Sequence, residues 1–306
     1  MRSRPDVLVL GGGGVLGEAW MTGVLAGIED ATGFDLRKCE YFVGTSAGSI
    51  VAAHLAAGTP LRRPPALSPE IEASESPPIN GLAGAARRAA RHAGAITLAV
   101  SATFAPLALE LAEPGGALAR AGLLRRLPRP QSTLAQLRAR VEQSPARFDG
   151  RLRVVAVQLR TGRRVVFGSP GAPRATVGEA VQASCTVPWM FAPVQIGGRE
   201  YVDGGVWSPT NLDVAPAGRD TQVVCLNPIA SITAANSVLG VMRTLARSAV
   251  SIETLVLKRR GASVQAIKPD DECAEAMGTN LMDREPQPRV LAAAYRQGLR
   301  LGTTGP

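Results

Sequence analysis

Aromatic residues make up only 4% of this 306-residue sequence, so Ala, Val and Leu must fill its core. Histidine is rarer still, with His54 and His92 the only two. Lysine occurs at Lys38, Lys258 and Lys268 alone, so nearly all of the 34 basic residues are arginine. That bias fits a GC-rich genome as readily as selection for contact with phosphate. The net charge of +9 favours anionic partners by long-range attraction. No Lys/Arg run with interleaved aromatics occurs, and nucleic acid is not an expected partner. The cysteines Cys39, Cys185, Cys225 and Cys273 form no C-x-x-C and no metal-ligand spacing. They read as reduced, mostly buried thiols of a cytosolic protein. Long apolar runs at the N-terminus are missing too. In MRSRPDVLVLGGGG only Val7 to Leu10 is continuously apolar, which is too short for a signal peptide. The expectation is a cytoplasmic chain, peripheral to a membrane at most.

What is present is organised around Tyr41 to Ile50, YFVGTSAGSI. An apolar run leads into Gly44-Thr45-Ser46-Ala47-Gly48, and an alanine-rich stretch with helical composition follows. Strand, tight turn and helix is the context that makes G-x-S-x-G a nucleophile elbow. The flanking glycines, Gly44 and Gly48, leave room where the backbone doubles back on itself. Ser46 then stands at a helix N-terminus, where free N–H groups and the helix dipole favour developing negative charge.

Upstream, Val7 to Leu10 reads as a buried strand running into Gly11 to Gly17, with a helical pattern over Glu18 to Asp30. Gly12-x-Gly14-x-x-Gly17 formally matches the dinucleotide fingerprint. That fingerprint also needs an acidic residue at the end of the next strand, but here Glu40 lies at the strand's start. The other use of such a loop is as an oxyanion hole, with backbone N–H groups pointing into a cavity. Both glycine turns would lie at the carboxyl ends of parallel strands, where open α/β sheets place their sites.

A serine nucleophile needs a base. His54 lies on the elbow's own helix, roughly 12 Å along its axis from Ser46, and no histidine follows His92. A histidine triad is therefore nearly excluded by counting. Among the carboxylates, Asp203 stands out: it follows a strand and precedes Gly204 and Gly205. Asp-Gly-Gly by itself is an ordinary turn more often than a site. A Ser–Asp dyad needs direct hydrogen-bonding distance and partial burial.

The rest of the chain supplies an α/β pattern. Arg153 to Leu159 and Arg163 to Phe167 read as a hairpin over Thr161-Gly162. Thr176 to Ala183 is a short helix with Thr176 and Glu179 as a capping box. Gln195 to Val202 reads as a second hairpin, Gln222 to Leu226 as a buried strand, and Val238 to Leu257 and Arg289 to Leu299 as covering helices. Residues 60–145 differ in character. A Pro/Ser/Glu-rich linker (Leu61 to Asn80) precedes Ala/Leu-rich segments with Arg87, Arg88, Arg91, Arg120, Arg125 and Arg126. An uncharged stretch, Ala93 to Leu109, is at the lower limit for a membrane span and is broken by Pro106. The expectation is an inserted helical cap within a single domain of 306 residues. Its Arg-rich side suits contact with an anionic membrane, and a solvated helical hairpin is the plain alternative.

Three motifs thus stand in one order: GGGGVLG at Gly11 to Gly17, GTSAG at Gly44 to Gly48, and DGG at Asp203 to Gly205. Together with AVQASCTVPWMFAPV ahead of the DGG, this closely resembles the patatin-like phospholipase family over most of the chain outside residues 60–145. The resemblance implies a three-layer α/β/α fold with a mostly parallel central sheet. It also implies a metal-independent lipid acyl hydrolase with Ser46 as nucleophile and Asp203 as general base, and no cofactor. The oxyanion role falls to the N–H groups of Gly12, Gly13 and Gly14. The family usually has Arg or Lys where this chain has Leu16. Leu16 and the unusual cap motivate a rival reading, a weakly active or non-catalytic lipid-binding protein. An acyltransferase using the same acyl-enzyme is a second.

Overall fold

The structure, a computed structural model, describes residues 1, 3–65, 114–231 and 250–303. Within them the chain alternates strands and helices: β1 (Val7–Leu10), α1 (Gly14–Thr32), β2 (Tyr41–Thr45), α2 (Ala47–Ala56), α3 (Pro114–Arg126), α4 (Ala135–Glu142), β3 (Leu152–Gln158), β4 (Arg164–Phe167), α5 (Val177–Cys185), β5 (Val194–Ile196), β6 (Arg199–Asp203), β7 (Gln222–Leu226), α6 (250–259), β8 (Ser263–Ile267), α7 (Asp271–Met277) and α8 (Gln287–Thr303). Eight strands form one sheet in the order β5-β6-β3-β2-β1-β7-β8, with β4 also paired to β3. The five strands from β3 to β8 run parallel, and β4, β5 and β6 pair antiparallel.

The strands of the sheet's centre are apolar throughout because both faces are covered. Side chains alternate between the faces at the strand period of two. Leu8, Leu10, Phe42, Val154 and Ala156 face α1, α2, α5 and α8 in the larger core cluster. Val7, Val9, Val43, Val155, Val223 and Cys225 face the opposite way, against Leu212, Ala215, Val250 and Leu257. Leu124 of α3 covers Val157 and Val202 on that second side. Helices on both faces of a mostly parallel sheet make the three-layer α/β/α fold. The four cysteines are buried and unpaired.

Several expected elements lie where the sequence placed them. β1 and β7 match residue for residue, and the capping box on α5 is formed: Thr176 Oγ1 accepts from Glu179 N–H, and Thr176 N–H donates to Glu179 Oε2. Helix α1 starts at Gly14, four residues before the helical pattern begins. Glycines are poor helix formers. Here Gly13 and Gly17 are pressed against Pro228, and Gly14 against Leu281 and Met282, with no room for a Cβ at Gly13 or Gly14. Tertiary packing thus recruits the glycine loop into the helix. In the 60–145 segment, α3 turns Ala117, Ala121 and Leu124 inward and leaves Leu118 exposed. The expected linker beyond residue 65, His92, Arg87, Arg88, Arg91 and the stretch Ala93 to Leu109 lie outside the described residues. So does the first half of the helix expected over Val238 to Leu257.

Candidate active site

Ser46 follows the last residue of β2 and precedes the first of α2, with φ 51° and ψ −126°. That is the left-handed half of backbone space, which a side chain enters only under constraint. The constraint is visible. A methyl on Gly48 would overlap the carbonyl of Leu10, and one on Gly44 would overlap Ser49 Cα. The start of α2 is therefore packed directly onto the end of β1. Ser49 closes the turn by donating to the Ser46 carbonyl from both its N–H (2.8 Å) and its hydroxyl (2.6 Å).

Strand register brings Asp203 to the same place. Val155 of β3 pairs with Thr45 of β2, and the next residue, Ala156, pairs with Asp203 of β6. Both Val155 and Ala156 also pair with β4. A strand has two edges, and β4 occupies one from Val154 to Val157, so β2 and β6 share the other there. They approach from opposite ends, and their last residues meet. Gly204 makes the meeting compact: a Cβ there would overlap the Val155 carbonyl and stand 3.3 Å from Thr45 Cγ2.

Asp203 is buried, at 5% exposure. Burial pushes its carboxyl from 3.8 up to about 7. Two donors pull in the other direction: the Gly205 N–H, 2.7 Å from Oδ1, and the Ser46 hydroxyl. The elbow's side chain thus lies near enough to lower a buried carboxyl that desolvation holds near neutrality. His54 lies further along α2, and burial with the Arg140 charge holds it below the usual histidine range.

The glycine loop lies against the elbow. A Cβ on Gly12 would stand 3.4 Å from Ser46 Cβ. The Gly12 N–H donates to the Pro209 carbonyl at 2.8 Å and is therefore committed. The Gly13 and Gly14 N–H groups have no acceptor among the described residues. They stand at the N-terminus of α1, where the dipole adds to their pull on an anion. Gly17 is one turn inside α1 and packs on Pro228. Leu16 is fully buried in the larger core cluster, and its N–H donates to the Leu281 carbonyl.

A family model, patatin-like phospholipase, matches residues 8–216, about two thirds of the chain. The matched span contains the glycine loop, the elbow and the Asp203 turn. The chain belongs to the patatin-like phospholipase family. No curated protein matches it. Membership makes it a lipid acyl hydrolase in general terms, with lipids as substrates. Among the described residues of this patatin-like protein, no helix is long and apolar enough to cross a membrane.

Sequence reasoning missed the loop that ties the patatin motifs together. Pro209 holds Gly12, and Thr210 accepts from the Thr45 hydroxyl at 3.4 Å. Asn211 is fully buried at φ 50°. Its Nδ2 reaches the Ser208 carbonyl (2.7 Å), Thr45 Oγ1 (3.1 Å) and the Gly204 carbonyl (3.3 Å). One side chain thus joins the residue before Ser46 to the residue after Asp203. Behind it, buried Glu253 of α6 accepts from the Thr210 hydroxyl and the Leu212 N–H. Desolvation raises its carboxyl, with the Asp213 charge adding to the rise. No periodicity or spacing marks Asn211. The only local signal is an Asn able to adopt the left-handed conformation in a loop. Asn211→Ala leaves buried polar groups unpaired on both sides. It is expected to cost about 2–4 kcal/mol of stability and to slow turnover about 10–100-fold. Denaturant midpoints and kcat measured together check this. Values within twofold of wild type for both would remove Asn211 from any bracing role.

Proposed function

We propose that this protein is a serine acyl-ester hydrolase of the phospholipase A or lysophospholipase type, working through a Ser46–Asp203 dyad. The observation that carries the reading is the head-on meeting of β2 and β6 on one edge of β3, which sets Ser46 beside the buried carboxyl of Asp203. Asp203 takes the hydroxyl proton as Ser46 Oγ attacks the ester carbonyl carbon. The oxyanion that forms is held by the N–H groups of Gly13 and Gly14. Gly12, expected as a third donor, serves instead to anchor the loop on Pro209. Collapse breaks the ester C–O bond, and Asp203 returns the proton to the leaving oxygen. Water then gives a proton to Asp203 and attacks the acyl-Ser46, releasing the fatty acid and regenerating the serine. Gly44, Gly48 and Gly204 support the site by letting backbone segments approach where a side chain would intrude, and Gly205 leaves room for the Asp203 carboxyl.

Treatment with a fluorophosphonate tests the reading directly, because such probes modify activated serines. Intact mass and peptide mapping are expected to find one adduct, on Ser46. No adduct on folded protein, beside a reactive control hydrolase, would show that the nucleophile is not assembled. Thin-layer analysis of products from phosphatidylcholine, phosphatidylglycerol and their lyso forms then identifies the lipid class.

A further inference from the structure

Ser184 is fully buried in the last turn of α5 and has no part in the acyl transfer described above. Its hydroxyl makes two hydrogen bonds of opposite sense. It accepts from the backbone N–H of Ser46 at 2.9 Å and donates to the backbone carbonyl of Val155 at 2.6 Å. Val155 is the β3 residue paired with Thr45. In a parallel ladder, the amide after Thr45 would itself reach for a β3 carbonyl. Here a side-chain hydroxyl stands between the two, so the ladder is carried one step further through α5 while the backbone swings into the elbow. The same Val155 carbonyl lies against Gly204. One hydroxyl therefore references the nucleophile's backbone to the carbonyl on which the Asp203 turn rests.

We propose that Ser184 is a positioning residue for acyl transfer: its hydroxyl holds the Ser46 amide so that Oγ stays aimed at Asp203. The inference rests on the dyad reading. The order of donation admits no reversal, because an amide N–H only donates and a carbonyl only accepts. The group in the middle must do both at one atom, and of the small side chains only a hydroxyl does this well. Without it the partly buried Ser46 N–H is left unpaired or sinks toward the Val155 carbonyl, drawing Oγ off line. A displacement of about 1 Å at a reacting group can lower a rate on the order of 10²-fold. Substrate binding does not depend on this atom, so the loss belongs in kcat and leaves KM alone.

The test uses Ser184→Ala, Ser184→Cys and Ser184→Thr with a soluble p-nitrophenyl ester and a fluorophosphonate. Ser184→Ala is expected to lower kcat about 10–100-fold, with phosphonylation of Ser46 slowed in parallel and KM within about twofold. Ser184→Cys, close in size but a weak hydrogen-bonding group, should behave as Ala does. Ser184→Thr, which keeps the hydroxyl, should return kcat to within about threefold of wild type. Wild-type phosphonylation in the Ala variant overturns the inference, as does a folded Cys variant with full kcat, since packing alone would then suffice. If the Ala variant does not fold, the Cys variant decides by itself. Activity surviving in Ser46→Ala would remove the dyad reading. A fast Ser184→Ala beside a dead Ser46→Ala would remove only the positioning role.

Discussion

Ser46→Ala is expected to lower kcat by on the order of 10⁴-fold or more, with the fold intact and fluorophosphonate labelling abolished. The size of the loss follows from what else is near. Among the described residues no histidine is within reach, and the other hydroxyls at the elbow are engaged: Ser49 donates to the Ser46 carbonyl and Ser184 to Val155. Alanine keeps the Cβ, so the strain at φ 51° is unchanged and the substitution removes only the oxygen. One secondary effect is specific to this geometry. The Ser46 hydroxyl is one of two donors that lower the Asp203 carboxyl, so in Ser46→Ala that carboxyl should titrate at higher pH than in wild type. Steady-state assays, mapping of the adduct and melting temperatures check the set. A variant retaining a tenth of wild-type kcat would show that another group is the nucleophile.

The second large effect belongs to Asp203. In its proposed role as base it must be ionised, and burial places its carboxyl at about 7. The rate kcat/KM on a soluble ester should therefore rise with pH through about 7 with unit slope, a limb carried by a carboxyl where a histidine would ordinarily be sought. Asp203→Asn should lower kcat by on the order of 10⁴-fold while stabilising the fold at high pH. The sign follows from linkage. The folded carboxyl keeps its proton up to about 7, whereas the unfolded one releases it near 3.8. Between those values the folded state binds more protons, so stability falls as pH rises, and the full penalty is present above about 7. Asparagine carries no such penalty and can still accept from Gly205. Its advantage over wild type should be up to a few kcal/mol at pH 8 and should shrink toward pH 4. Glu253 has the same sign, but it is present in both proteins and cancels in the difference. Thermal unfolding of both at pH 4, 6 and 8 decides; an advantage that fails to grow with pH would mean that Asp203 is not desolvated.

The strands whose residues pair within the sheet's centre were legible because they are short, apolar and bounded by glycine or charge. The elbow was legible for a related reason: its glycines leave a one-dimensional trace of a three-dimensional crowding, here Gly48 against Leu10 and Gly44 against Ser49. The start of α1 was not legible. Its first turn holds two glycines, Gly14 and Gly17, which are poor helix formers and are packed against Leu281 and Pro228, more than 200 residues away. Strand β8 escaped notice as well. It is an edge strand, mostly exposed, and pairs only with β7, so no continuous apolar run announces it. Nothing in the sequence marked the roles of Ser184 or Asn211, since a small polar residue in a helix or loop is ordinary until its partners are known.

The sequence by itself determined the chemistry available to this protein. With only two histidines, one of them on the elbow's own helix, and no metal spacing, the residue inventory pointed to a serine paired with a carboxylate, and three glycine-bearing motifs in order gave the family. The tertiary structure alone decided how those parts meet. Residues 46 and 203 come together because β2 and β6 share one edge of β3 from opposite ends, and strand register is a long-range property that no local pattern encodes. It also decided which glycine N–H groups remain free: Gly12 is used by Pro209, while Gly13 and Gly14 find no acceptor among the described residues. Hydrogen-bond donors are spent by whatever the fold brings near them, and only the folded chain shows which are left for an oxyanion.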